Sequence, residues 1–195
     1  MGALDDDIES VLYSSEEISR RVSELAAQIT ADLDNNKSNN TESSPPVVVV
    51  GVATGAFLFL ADLVRNVKLP ITVDFIRAES YGSGTVSSGD PRILSDLKMD
   101  ILGKHVILSG NIICTLKKLL CNSAHLSHSG ASSISVCTFL DKPARRKVNF
   151  ELVGEGKYYC GFECPDYFVV GYGLDLAELY RNLPYVGVLK PEMYK

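Results

Sequence analysis

Residues 47–67 read VVVVGVATGAFLFLADLVRNV, an apolar run that changes character at a short turn. The first six residues are valines with one glycine, and they predict a strand buried on both faces. After the turn at Ala53–Ala56, the run predicts a helix that stops before Pro70. A second strand is predicted at Thr72–Arg77. The order strand, helix, strand indicates a parallel sheet of the α/β class.

Two longer apolar runs extend this sheet toward the C-terminus. The segments HVIL at 105–108 and SISVCTFL at 133–140 predict further strands. Two short strands are expected at 166–172 and 185–190, on either side of a helical turn or two at 174–182. Apolar residues between the longer runs recur at helical spacing and predict a helix. They are Ile112, Leu116, Leu119, Leu120 and Ala124. The whole pattern predicts a three-layer α/β domain with a mainly parallel sheet.

Upstream of residue 47, the sequence predicts one amphipathic helix. Ser14 and Glu17 have the spacing of a capping box, in which each side chain bonds the backbone amide of the other residue. The apolar residues that follow fall on one helical face. They are Ile18, Val22, Leu25, Ala26, Ile29 and Leu33. Residues 35–46 are polar and end in two prolines, which predicts a flexible surface loop.

The composition limits the classes of function. The chain has 195 residues, of which 46% are hydrophobic, and this suits one globular domain. A formal charge of −5 argues against a nucleic-acid-binding protein with a basic face. The five cysteines are an odd number in apolar segments, which favours reduced thiols in a cytoplasmic protein. The apolar run at 47–61 is too short to span a bilayer, so no membrane segment is predicted.

In open parallel sheets, ligands bind at the carboxyl ends of the strands. Four loops are predicted at that edge: 53–56, 79–91, 109–115 and 141–147. The first contains a glycine that lets backbone amides approach an anion, and an ordinary structural turn is the alternative. The second is rich in glycine and serine and predicts a mobile lid. The fourth is basic, a pattern that is also typical of a solvated face.

A further candidate site lies in residues 166–182. A planar base can stack on Phe168 and bond the backbone near Val169, with a metal-bound diphosphate near Asp175 and Arg181. The alternative is a core aromatic residue beside a helix-start aspartate and a surface arginine. Spacing alone leaves both interpretations open.

Together, these stretches closely resemble hypoxanthine-guanine phosphoribosyltransferase, especially its plant form. The resemblance is carried by VVVVGVATGAFLFLADL, RAESYGSGTVSSG, SVCTFLDKPARRK and GFECPDYFVVGYGLDLAELYRNLPYVGVLKPE. It implies a type I phosphoribosyltransferase fold with a mainly parallel sheet, a small hood built from both chain ends and a lid over the active site. Residues 1–195 are then one domain. Its expected parts are a helical part at 1–34, a loop at 35–46, the core at 47–150 and the hood with the purine segment at 151–195.

The resemblance also implies a purine salvage reaction. Hypoxanthine or guanine attacks the anomeric carbon of phosphoribosyl diphosphate, with Mg²⁺ as cofactor, and the products are IMP or GMP and diphosphate. By position, Lys142 and Phe168 would bind the purine, together with the backbone of Val169. Asp175 would hold magnesium through water.

The diphosphate and lid residues follow from the same resemblance. Thr54, Gly55 and Arg181 would bind the diphosphate, while Ser80 and Tyr81 would lie on the lid that excludes water. The expected assembly is a homo-oligomer, a dimer or a tetramer, with no nucleic-acid partner and no membrane partner.

One family motif is missing from the chain. After the strand at 105–108, the family has two adjacent acids, two apolar residues, a third acid and then Thr-Gly-x-Thr. The paired acids grip the ribose hydroxyls and the metal, the third acid lies beside the purine nitrogen that must lose a proton, and the loop wraps the 5′-phosphate. The chain has Gly110 and Asn111 for the paired acids, Cys114 for the third acid, Leu116 for the glycine, Lys118 for the last threonine, and Thr115 as the remnant of the loop.

These replacements predict weak or absent transferase activity. Asn111 carries no negative charge, Cys114 is a poor base, and the strain of a positive φ at Leu116 costs roughly 1–3 kcal/mol. If three charge-assisted contacts are lost, the rate falls by about four to six powers of ten. Two alternatives remain: an inactive homologue that binds purine or nucleotide or pairs with active subunits, and a local gene-model error at 109–123. Resequencing the transcript would identify the error.

Overall fold

The computed structural model describes residues 4–38, 46–79, 92–95, 97–113, 124–145 and 152–194. The strands are Ile8–Tyr13 (β1), Val47–Ala53 (β2), Ile71–Glu79 (β3), Arg92–Ser95 (β4), His105–Ile113 (β5), Ser133–Asp141 (β6), Tyr158–Glu163 (β7), Val169–Val170 (β8) and Val186–Leu189 (β9). The longer helices are Ser15–Ser38 (α1) and Phe57–Asn66 (α2). Short 3-10 helices cover Asp5–Asp7, Pro143–Arg145 and Pro191–Met193, and a helical segment covers 124–128.

The larger sheet has the strand order β4-β3-β2-β5-β6-β7. Five of its strands run parallel, namely β3, β2, β5, β6 and β7, while the edge strand β4 pairs with β3 in the antiparallel direction. The chain builds the sheet outward from β2, first to β3 and then, on the other side, through β5 to β7. The topological switch point therefore lies between β2 and β5, where ligands bind in open α/β sheets. The predicted α/β class and mainly parallel sheet are confirmed.

The valines of β2 explain why this strand lies at the centre of the sheet. Val47 and Val49 pack on the face covered by α1 and α2, while Val48 and Val50 pack on the opposite face. Successive side chains point to opposite faces of a strand, so a run of apolar residues is needed when both faces are buried. The result is the predicted three-layer arrangement.

Helix α1 begins with the predicted capping box. The Ser14 amide donates to the Glu17 carboxylate over 2.9 Å, and the Glu17 amide donates to the Ser14 hydroxyl over 3.3 Å. The six predicted apolar residues of the helix are all buried. The helix continues to Ser38, so residues 35–38 are helical rather than part of the predicted loop.

A second, three-stranded sheet joins the two ends of the chain in the order β1-β9-β8. This sheet is the base of the hood. The Tyr180 hydroxyl donates to Asp7 over 2.8 Å and the Tyr185 hydroxyl donates to Asp5 over 2.5 Å. The acidic residues near the N-terminus thus anchor the C-terminal part of the hood.

Several predicted elements are wrong in detail. Strand β5 continues to Ile113, so Ile112 belongs to a strand and not to a helix. Residues 174–182 form turns with positive φ at Ala177, Glu178 and Tyr180, where a helical turn was expected. The sequence analysis did not find β1, β4 or β7.

Some predictions fall outside the described residues. These are Ser80 and Tyr81 of the predicted lid, and Cys114, Thr115, Leu116 and Lys118 of the altered motif. Among the described residues, no helix is both long and apolar enough to cross a membrane.

Candidate active site

Three segments that are distant in sequence meet at Gly55, in the turn after β2. A Cβ atom added at Gly55 would lie 3.9 Å from the Arg181 Nη1 atom, 3.9 Å from the Asn111 Cβ atom and 3.8 Å from the Gly173 carbonyl oxygen. Gly55 and Asn111 lie at the ends of β2 and β5, on either side of the switch point. The structure therefore brings the predicted residues Gly55 and Arg181 together where a ligand is expected. Thr54 precedes Gly55 and is exposed, and its peptide bond with Ala53 is cis.

Gly173 allows the hood to approach the β2 turn. Its φ is +91°, and an added Cβ would lie only 2.4 Å from the Gly55 carbonyl oxygen. Any side chain at position 173 would meet both backbone strain and a clash. Gly173 was not among the residues predicted from the sequence; the repeat Gly-Tyr-Gly at 171–173 signals a turn but not which backbone the turn approaches.

Arg181 is held by acceptors from its own loop. Its Nη1 atom donates to the Gly173 carbonyl over 2.7 Å, and its Nη2 atom lies 2.9 Å from Asp175 Oδ1. Both carboxylate oxygens of Glu178 accept from Nη2 over 3.1 Å. The predicted metal residue Asp175 and the predicted diphosphate residue Arg181 are thus an ion pair. Glu178, which the sequence analysis missed, is a second carboxylate on the same guanidinium group.

The predicted purine residues lie together at the end of β6. Lys142 is only 8% exposed, and its Nζ atom donates to the Tyr167 carbonyl over 2.5 Å. The next residue, Phe168, stacks on Tyr194 with ring centroids 4.6 Å apart. Val169 is buried and pairs with Val188 of β9. Lys142, Phe168 and Val169 therefore share one region, and Tyr194 is a neighbour that the sequence analysis missed.

At the altered motif, β5 presents one polar side chain to the hood. Asn111 is 6% exposed, and its Nδ2 atom donates to the Tyr172 carbonyl over 3.1 Å. Its Oδ1 atom is buried and has no hydrogen-bond partner among the described residues. Gly110 pairs with Thr138 of β6. Asn111, where the family resemblance implies an acid, is thus an amide that contacts backbone.

Tyr172 fixes the start of the loop that carries Arg181. Its ring packs against Phe139 of β6 with centroids 4.8 Å apart, and its hydroxyl donates to Asp62 of α2 over 2.7 Å. Burial raises the pKa of the Tyr172 hydroxyl, and the bond to Asp62 raises it further. The hydroxyl is therefore a protonated donor at neutral pH, and it ties the hood to α2.

The described residues fit a magnesium ion only in part. They contain no group of three or more His, Cys, Asp or Glu side chains that could hold a metal ion. Asp175 accepts from the Glu178 amide through Oδ2 over 3.0 Å, and its Oδ1 pairs with Arg181. Mg²⁺ commonly keeps its waters and binds through one or two carboxylates and substrate phosphates. Asp175 suits one such contact through water, while Asn111 offers no anionic ligand.

Comparisons with known proteins find similar sequences and similar folds. The family model described as phosphoribosyl transferase domain matches residues 10–176. The hypoxanthine-guanine phosphoribosyltransferase of Bacillus subtilis (strain 168) is 41% identical over 189 residues, which cover 97% of each chain. The crystal structure of a hypoxanthine phosphoribosyltransferase from Staphylococcus aureus has a TM-score of 0.85 at 38% identity, covering 100% of this chain and 98% of the other.

A third similar protein also has a solved structure. The hypoxanthine phosphoribosyl transferase of Trypanosoma cruzi, in a structure concerned with the role of its C-terminal region in oligomeric state and enzymatic activity, has a TM-score of 0.83. It is 34% identical, and the alignment covers 97% of this chain and 95% of that one.

Proposed function

This chain belongs to the phosphoribosyltransferase family, among the hypoxanthine-guanine phosphoribosyltransferases, and from that premise we propose that it is a purine salvage enzyme of low turnover. The proposed reaction transfers the phosphoribosyl group from phosphoribosyl diphosphate to hypoxanthine or guanine. The products are IMP or GMP and diphosphate. The observation that carries the proposal is the meeting of Gly55, Asn111, Gly173 and Arg181 at the switch point of the sheet.

Each group of residues has a role that its chemistry supports. Lys142 would donate to the exocyclic oxygen of the purine, while Phe168 would stack on the ring and the Val169 backbone would contact its edge. Thr54, Gly55 and Arg181 would bind the diphosphate, with Arg181 supplying the positive charge. Magnesium, when bound, would neutralise part of the diphosphate charge, with Asp175 as its protein contact through water.

The low turnover follows from the altered motif. At Asn111 a neutral amide contacts the Tyr172 carbonyl, and a neutral amide does not replace the negative charge that an acid would supply to the ribose and the metal. The same observation favours the second candidate function, an inactive homologue that keeps purine or nucleotide binding or pairs with active subunits. Titration with magnesium and phosphoribosyl diphosphate, and then with GMP, separates the two functions, because an inactive homologue can keep the purine pocket while losing the site for the sugar phosphate.

We predict that Lys142→Met weakens GMP binding roughly tenfold to a hundredfold, because a buried charge-assisted hydrogen bond to the purine is lost. Isothermal titration calorimetry with GMP measures the effect. Arg145→Met is the matched control, since Arg145 lies three residues away, is exposed and pairs with Asp166. Equal affinities for GMP in the parent and the Lys142 variant would place the purine elsewhere.

We predict that Glu178→Gln strengthens the binding of magnesium diphosphate about two- to fivefold. The Glu178 carboxylate is 80% exposed and pairs with the Arg181 guanidinium, so it competes with an incoming anion for that group. Because an exposed ion pair is weak, its removal should increase diphosphate affinity only modestly. The control is Glu192→Gln, which removes the same charge from an exposed residue of the hood. If both variants change diphosphate affinity equally, the effect is one of net charge and not of competition at Arg181.

We further propose a cytoplasmic homo-oligomer, a dimer or a tetramer. The three described cysteines, Cys137, Cys160 and Cys164, carry reduced thiols, which suits a reducing compartment. Sedimentation equilibrium of the full chain tests the oligomeric state.

A further inference from the structure

Asn111 makes a contact that needs a hydrogen-bond donor at residue 111. Its Nδ2 atom donates to the Tyr172 carbonyl over 3.1 Å, and both groups are buried. An ionised aspartate has the same shape but has acceptors only, so its oxygen would face the carbonyl oxygen without a hydrogen. The identity of residue 111 therefore matters beyond its volume.

The contact joins two parts of the fold that are 61 residues apart in sequence. Asn111 is on β5 of the core, and Tyr172 begins the loop of the hood that carries Arg181. From Tyr172 the backbone leads directly to Gly173, whose amide donates to the Arg181 carbonyl over 2.9 Å and whose carbonyl accepts from Arg181 Nη1 over 2.7 Å. A shift of the Tyr172 carbonyl would therefore move both bonds between Gly173 and Arg181, while Asp175 and Glu178 hold the other side of the guanidinium group.

We propose that Asn111 is a positioning residue, a neutral clasp that joins the core to the hood and holds Arg181 over the turn at Gly55. The side chain lies within reach of both segments, because a Cβ atom at Gly173 would be 3.2 Å from Nδ2 and one at Gly55 would be 3.9 Å from the Asn111 Cβ atom. In this chain, the position has exchanged an anionic contact with ligand for a structural contact with backbone.

The strand supplies a matched control. Ser109 lies two residues before Asn111 on β5 and is fully buried, and its hydroxyl has no hydrogen-bond partner within the described part of the chain. Removal of a buried polar group without a partner costs little, whereas removal of a buried donor leaves its acceptor unsatisfied. Ser109→Ala therefore controls for the loss of a buried polar group, and Asn111→Asp, which keeps the volume, distinguishes the clasp from the cavity that Asn111→Ala leaves.

The test compares Asn111→Asp, Asn111→Ala and Ser109→Ala by urea unfolding, without any ligand. We expect each Asn111 variant to lower the ratio of folded to unfolded protein roughly tenfold to a hundredfold, and Ser109→Ala to leave it nearly unchanged. The Asp variant preserves volume, so a purely packing role for Asn111 predicts no loss there. A stable Asn111→Asp protein at pH 8 would overturn the proposal.

A pH series tests whether protonation of residue 111 restores the contact with Tyr172. Protonation of the carboxyl introduced by Asn111→Asp restores an O–H donor, so the deficit of this variant relative to the parent should shrink as the pH falls from 8 to about 4.5. The charged group that lies with Asn111 around the Gly55 turn is Arg181, and its ion-pair partners are Asp175 and Glu178 of the hood loop. Arg181 favours the ionised carboxylate, while burial and the neighbouring carboxylates oppose it. The deficit shrinks in acid when the second effect is the larger, because the carboxyl then has a higher pKa in the folded than in the unfolded protein, and this is the expected result. If the stability deficit of Asn111→Asp does not depend on pH, or if a variant that is misfolded at pH 8 does not refold in acid, the proposed clasp is wrong.

The positioning of Arg181 is tested by the affinity for magnesium diphosphate. Asn111→Ala adds no charge, and we expect it to weaken binding at least threefold while Ser109→Ala does not. This arm rests on the proposed function, whereas the unfolding arms do not. If Asn111→Ala loses stability but keeps its diphosphate affinity, Asn111 does not position Arg181, and its hydrogen bond to the Tyr172 carbonyl has a structural role only. No diphosphate binding by the parent chain would refute the proposed anion site and leave the stability result standing.

Discussion

Replacement of residues 109–118 by the acidic loop of the family should raise the rate of IMP formation by about four to six powers of ten. The graft returns two carboxylates for the ribose and magnesium, a carboxylate beside the purine nitrogen and a glycine-containing loop for the 5′-phosphate. Each charge-assisted contact contributes roughly 1.5–3 kcal/mol, so three contacts are enough for this gain. Steady-state formation of IMP from hypoxanthine and phosphoribosyl diphosphate measures it.

The matched control for this graft keeps Cys114 and restores every other residue of the loop. It should bind phosphoribosyl diphosphate like the full graft but turn over more slowly, because a thiol is a poor substitute for a carboxylate base. The parent chain must be assayed beside both. If the parent makes IMP at a rate similar to that of the full graft, the altered motif is not the cause of low turnover.

The clasp at Asn111 adds a condition to this prediction. The graft removes the amide that bonds the Tyr172 carbonyl, so the free grafted protein should be less stable than the parent. Bound phosphoribosyl diphosphate and magnesium should recover that stability, because a ligand that binds only the folded state stabilises it. A single Asn111→Asp change loses the hydrogen bond to the Tyr172 carbonyl without gaining the other acids of the loop, so it should lower stability and not restore activity.

The sequence predicted the elements that local chemistry determines. The valines of β2 can be buried on both faces only in the middle of a covered sheet, and the pair Ser14 and Glu17 caps a helix without help from the rest of the fold. The apolar face of α1 was predictable for the same reason, since one helical period places those side chains together.

The elements that were missed depend on contacts made between distant segments. Residues 174–182 have apolar spacing that suits a helix, but the side chains of Asp175 and Glu178 contact Arg181, and positive φ at Ala177 and Glu178 ends any helical path. Ile112 has helical spacing with later residues, yet β5 continues through it because β6 offers a parallel partner at Leu140. Tertiary pairing overrides local periodicity in both cases.

The candidate site was predicted as separate pieces, and their connections were not predicted. Gly55, Arg181 and Lys142 follow from the family resemblance, and the structure places Gly55 beside Arg181. Glu178 was missed because an exposed carboxylate three residues from an arginine is common on protein surfaces. Gly173 was missed because a glycine in a loop does not reveal from sequence which backbone it approaches.

Gly173→Ala should lower the free energy of unfolding by about 2–5 kcal/mol, which corresponds to a melting temperature lower by about 4–20 °C. The added Cβ would lie 2.4 Å from the Gly55 carbonyl oxygen, and φ at this position is +91°. Relief of the clash must separate the hood from the β2 turn. Thermal unfolding followed by circular dichroism measures the loss.

Gly103→Ala isolates the clash from the backbone strain. Gly103 also has a positive φ, of +68°, but an added Cβ there would meet no described atom within 4 Å. This control should lose only about 1–2 kcal/mol, the cost of a left-handed alanine. Because Arg181 donates to the Gly173 carbonyl, Gly173→Ala should also weaken the binding of magnesium diphosphate, and Gly103→Ala should not. Equal losses of stability in the two variants would mean that strain alone acts at residue 173, and that the hood does not press on the β2 turn.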